Sequence, residues 1–111
     1  MNVERVPIAE MPSFLERFSR GHHGWLTRVE MEDETRRGAM DADARPLGGI
    51  VADRDRNRLL VFLEKSPRGS TPYGIDQPTE ILRETSNGTV RLEVASADGS
   101  TMTLECHPTE H

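Results

Sequence analysis

Between residues 11 and 18 the apolar positions recur at intervals of three and four. Met11, Phe14, Leu15 and Phe18 form the stripe of an amphipathic helix. Pro12 falls in the first turn, where its missing N–H is not needed. Glu16, Arg17, Ser19 and Arg20 take the opposite face, and Gly21 supplies a stop. The pattern predicts a helix near 9–20.

From Gly24 onward the period is two. Trp25, Thr27, Val29 and Met31 alternate with Leu26, Arg28, Glu30 and Glu32, as in a half-buried strand. The charged run 33–37 reads as a hairpin turn, and Met40, Ala42 and Ala44 resume the alternation. Pro46, Leu47, Gly48 and Gly49 are expected to bend the chain between two strands, the second near 50–53. The stretch 59–63 is apolar on both faces, which predicts the most central strand. Residues 66–78 are rich in Pro and Gly and read as a long loop with a short edge strand at 73–75.

Two hairpins close the chain. Asn87 and Gly88 make the pair of a type I′ turn. The second hairpin follows from parity. Val90, Leu92 and Val94 share a face, as do Met102, Leu104 and Cys106, so paired numbers must sum to an even value. A loop of Ala97, Asp98 and Gly99 satisfies this, pairs Val94 with Met102, and puts Gly99 at the left-handed position. The Asn87–Gly88 turn, however, sets Arg83 opposite Leu92. Either Arg83 snorkels at the sheet edge or a bulge shifts the register.

The element order predicts an α+β domain over 1–111. One N-terminal helix precedes a strongly bent antiparallel sheet of about six or seven strands across 24–107. A helix capping such a sheet resembles the Sm-like and SH3-like small barrels. The length of 111 residues suits one domain. A net charge of −5 opposes binding to nucleic acid or an anionic membrane. The single Cys106 rules out an internal disulfide and, with no apolar signal-like segment at the start, predicts a cytoplasmic protein.

Phe18, Ser19, Arg20, His22, Gly24 and Trp25 spell Phe-Ser-Arg-x-His-x-Gly-Trp between the helix and the first strand. With Pro46-Leu47-x-Gly49-Ile50 and Ser96-Ala97-Asp98-Gly99, this resembles a family of short bacterial proteins catalogued only as a domain of unknown function. The resemblance covers nearly the whole chain and implies no activity. The chain departs from it in the 66–78 loop, where relatives carry His and Thr and this sequence reads Ser70-Thr71-Pro72-Tyr73-Gly74-Ile75.

Candidate chemistry is sparse. Asp53, Asp55, Asn57, Leu60 and Glu64 match much of an EF-hand calcium loop, but Arg58 replaces the turn glycine and the following stretch reads as a strand. His22, His23, Cys106, His107 and His111 are the soft metal ligands, at spacings that match no zinc site. No nucleophile elbow or phosphate loop is present. The expectation is therefore a non-enzymatic binding or protein-interaction module with no metal, cofactor or catalytic residue. It would self-associate through a sheet edge or the helix face. The alternative is a small-molecule or metal-binding protein whose site lies near His22, His23 and the 66–78 loop. Trp25 is a core anchor or, with Tyr73, the aromatic wall of that site.

Overall fold

A 3-10 turn at Ile8–Glu10 leads into helix α1 at Met11–Gly21, with Pro12 in its first turn. Met11, Phe14, Leu15 and Phe18 are all buried, as their spacing requires. The computed structural model describes residues 2–32, 44–65 and 72–108. The strands are β1 (Asn2–Val6), β2 (Leu26–Glu32), β3 (Arg45–Asp53), β4 (Arg58–Leu63), β5 (Tyr73–Asp76), β6 (Pro78–Ser86), β7 (Thr89–Ser96) and β8 (Thr101–His107). The expected hairpin turn at 33–37 and the alternation at 40–43 lie outside the described residues, as do 66–71 of the long loop.

The architecture is α+β, with eight strands among the described residues rather than six or seven, in one antiparallel sheet ordered β1-β6-β7-β8-β2-β3-β4-β5. The outer strands β1 and β5 do not pair with each other, so the sheet is not closed. The additional strand is β1, which precedes the helix and pairs along β6 from Asn2↔Thr85 to Val6↔Ile81. Only Val6 of its five residues is buried, so β1 carries no apolar alternation to announce it. A lone residue, Gln77, separates β5 from β6. With φ 49 it donates its N–H to the Asn57 carbonyl (2.7 Å) and accepts from the Ala97 N–H (3.0 Å).

The C-terminal hairpins follow the parity argument. Val94 pairs with Met102 and Leu92 with Leu104, around a loop with Gly99 at φ 91. Asn87 and Gly88 both have positive φ, between Ser86 and its partner Thr89. Arg83 does face Leu92, with no register shift there; the irregularity in this pair of strands lies at Pro78/Glu80.

Two further expectations are corrected. Pro46 to Gly49 do not separate two strands. They lie within β3, and the surplus residue is absorbed as a bulge between Leu47 and Gly49. Nor is β4 central, since it pairs with the edge strand β5. Leu59 and Val61 face the core, but Phe62 on the other face remains 42% exposed. The apolar outer face of β4 is thus left partly to solvent.

Among the described residues β2 and β3 pair at Leu26↔Pro46 and Thr27↔Arg45, beside the backbone bonds of Gly24 and Trp25 to Leu47. Beyond that point α1 packs alongside β3. Ser19, expected on the solvent face, is half-buried and closes this seam. Its hydroxyl accepts from the Ile50 N–H (2.9 Å) and donates to the Ile50 carbonyl (3.2 Å). Among the described residues no helix is long and apolar enough to cross a membrane.

Two substitutions test the helix dock. Phe18→Ala removes a buried ring and should cost about 3–5 kcal/mol, whereas a urea midpoint near wild type would show that the helix is not part of the core. Ser19→Ala strips two backbone groups of their partner and should cost about 1–3 kcal/mol, read from the same denaturation curves.

Candidate functional site

α1 ends at Gly21, and the chain reverses through His22 and Gly24, the latter at φ 84. The His22 N–H donates to the Phe18 carbonyl at 3.0 Å, and its Nδ1 lies 2.9 Å from the same oxygen. A carbonyl only accepts, so Nδ1 carries the hydrogen and Nε2 holds the lone pair in the neutral ring. That ring stacks on Phe18 with centroids 4.0 Å apart and meets Trp25 edge-on at 4.6 Å. Phe14 continues the row, 5.9 Å from Phe18.

Opposite this row lies the inner face of β6. Ile81 is fully buried, and two residues on, the same face presents Arg83, flanked across the strands by Leu92 and Glu4. Arg83 Nε is shielded from solvent and has no hydrogen-bond partner. A polar atom buried in this way keeps its desolvation cost without compensation. Between helix and sheet is a cavity of about 390 Å³ lined by Glu4, Phe14, Arg17, Phe18, His22 and Arg83. Glu4 and Arg83 also border a polar depression of about 460 Å³ toward Asn2, Thr85 and Asn87. The two together make a trough along β1.

Electrostatics in the trough favour neutral imidazole. Burial lowers the pKa of His22 most; the Phe18 hydrogen bond opposes that, and the Arg83 charge lowers it further. The cavity lining carries two guanidiniums, one carboxylate and the His22 imidazole, and the depression adds the Thr85 and Ser86 hydroxyls.

The expected site residues separate. His22 and Trp25 come together at the trough's end. His23 turns away, with Nε2 3.0 Å from Glu64 Oε1. Tyr73 lies on β5, opposite Val61 and beyond β3 and β4 in the sheet order, half-buried against the core. Cys106 is buried, receives a hydrogen bond from the Thr27 hydroxyl (3.5 Å), and has its pKa raised by burial. His107 sits 2.8 Å from Glu105, and His111 is outside the described residues. Among the described residues no cluster of three or more His, Cys, Asp or Glu could hold a metal ion. The calcium-like segment is a hairpin between β3 and β4, with Asp53 opposite Arg58. Sequence reasoning did not nominate Glu4, Arg17 or Arg83. The one signal was the parity conflict that placed Arg83 on an apolar face.

No family model, curated protein or solved structure matches the chain.

The depressed His22 pKa has a definite sign. The unfolded imidazole titrates near 6.5 and the folded one lower, so below that value the unfolded state binds more protons. Whatever His22 contributes to stability is complete above pH 6.5 and is lost as pH falls through its folded pKa. Arg83→Gln removes one cause of the depression and should move the His22 ring titration, followed by NMR, upward.

Proposed function

We propose that this chain is a small non-enzymatic binding module that takes a small-molecule ligand in the trough between α1 and strands β1 and β6. The observation that carries this reading is Arg83, a guanidinium on the inner sheet face that lines an open cavity and has no described carboxylate within ion-pairing distance. A ligand anion in the cavity supplies the counter-charge that the chain does not give this guanidinium. The kinked passage through Gln77, which lets one stretch of chain pair with β4 and then β7, supports a small barrel of the Sm-like or SH3-like kind. On this reading the protein works in the cytoplasm, and the Phe-Ser-Arg-x-His-x-Gly-Trp segment of the family resemblance forms the aromatic end of the trough.

A second reading, self-association through a sheet edge, is favoured by the edge positions of β1 and β5 among the described strands. Light scattering after size exclusion distinguishes it, since a monomer at working concentration removes it. The ligand reading is tested by amide and indole NMR shifts during a small-molecule library screen. Hits should perturb the Trp25 indole and Arg83. Hits that perturb only residues remote from the trough would refute the assignment.

A further inference from the structure

The geometry points to the carboxylate of a small organic acid as the group the trough binds, held by Arg83 and Arg17 with the acid's apolar body against Phe14 and Phe18. This rests on the ligand reading above and names its chemistry. Three observations converge on it. The first is geometric. A guanidinium presents N–H donors in a planar fork that matches the two oxygens of a carboxylate. Arg83 lines the cavity with Nε enclosed by the protein, which leaves the terminal nitrogens as the fork a ligand can meet. Arg17 approaches the same cavity from α1.

The second is charge. Arg17 and Arg83 contribute two positive charges to the lining and Glu4 one negative, while the His22 ring is biased toward its neutral form. One positive charge is left over. A monoanion balances it, whereas a phosphate dianion would bring a second charge against Glu4. Glu4 faces Arg83 directly across the β1–β6 pair, yet no described carboxylate lies within ion-pairing distance of Arg83. The guanidinium therefore remains available to a ligand.

The third is shape. The cavity of about 390 Å³ falls in the ordinary range for small-ligand sites, and one wall is the row of Phe14, Phe18 and His22. An apolar body carrying a single carboxylate meets rings on one side and guanidinium on the other.

Benzoate is the probe, with benzamide as its neutral isostere and inorganic phosphate as the competing oxyanion. Trp25 is the only tryptophan and touches His22, so its fluorescence reports occupancy, with calorimetry as the second measurement. Benzoate should bind the intact chain about tenfold or more tightly than benzamide or phosphate. Arg83→Gln should weaken benzoate by about tenfold and leave benzamide unchanged. Arg17→Gln, at an exposed helix position, serves the same purpose if the Arg83 variant fails to fold, and should weaken benzoate several-fold. Glu4→Gln should tighten benzoate and admit phosphate.

Equal affinity for benzoate and benzamide, or benzoate binding unaltered in a folded Arg83→Gln or Arg17→Gln variant, overturns the carboxylate assignment. If benzoate fails while other library compounds shift Trp25 and Arg83, the carboxylate inference falls and the trough stands as a ligand site. If no compound acts there, both fall.

Discussion

The arrangement of this domain turns on one hydroxyl. Past Leu47 β3 runs on beyond the start of β2, which exposes a strand edge in the middle of the sheet order. Such an edge presents N–H and carbonyl groups that must be paired or solvated. Ser19 meets both groups of Ile50, so one side chain of α1 stands where a neighbouring strand would. That contact fixes the helix in rotation and along its axis together. With Ser19 on the β3 edge, Leu15 and Phe18 turn into the core, and His22 is carried one turn further toward the inner face of β6. The trough exists because the helix is held there.

On the sheet side, the trough marks where the apolar core gives out. Val29, Leu104 and Leu92 lie in one register row across β2, β8 and β7, all fully buried, and the same row continues into Arg83 and then Glu4. A five-strand row that is apolar for three strands and charged for two cannot be packed uniformly against one short helix. Aliphatic positions take the helix's apolar stripe. The charged end is left beneath the His22 turn, half-enclosed and without internal partners. The neighbouring row through Val94 and Ile81 shows the alternative, since it ends on the buried Val6. Replacing Val6 and Ile81 by Glu4 and Arg83 one row away is what converts a closed core into a cavity.

Elements whose signal is local periodicity were legible in the sequence. The helix stripe, the Asn87–Gly88 turn and the loop around Gly99 each depend on a few adjacent residues, and each is realised. What escaped depends on long-range pairing. β1 has one buried residue and owes its extended form to β6. The bulge at Leu47/Gly49 cannot be told from a chain bend by Pro and Gly alone. β4 looked central because both its faces are apolar, but apolar composition does not say whether a face is covered. Of the site, His22 and Trp25 were visible as a corner following the helix. Their partner Arg83 appeared only as an unresolved conflict of parity, and the physical reason for the conflict is the cavity itself.

The walls of the trough are not equally firm. α1 is held by four buried apolar side chains and by Ser19, and β6 by β7 over most of its length. β1 is held by main-chain pairing to β6, by Val6, and by the ion pair of Arg5 with Glu80 (2.6 Å), which is too exposed to add much. Segments with few buried apolar contacts open at the lowest free-energy cost. The wall that carries Glu4 is thus the least anchored, and the wall that carries Arg83 is built into the sheet. A ligand pairing Arg83 meets a fixed cation, while the carboxylate that opposes it rides on the strand most able to yield. For the ligand proposed above, that asymmetry would place the affinity in β6 and α1, and the selectivity against extra negative charge in β1.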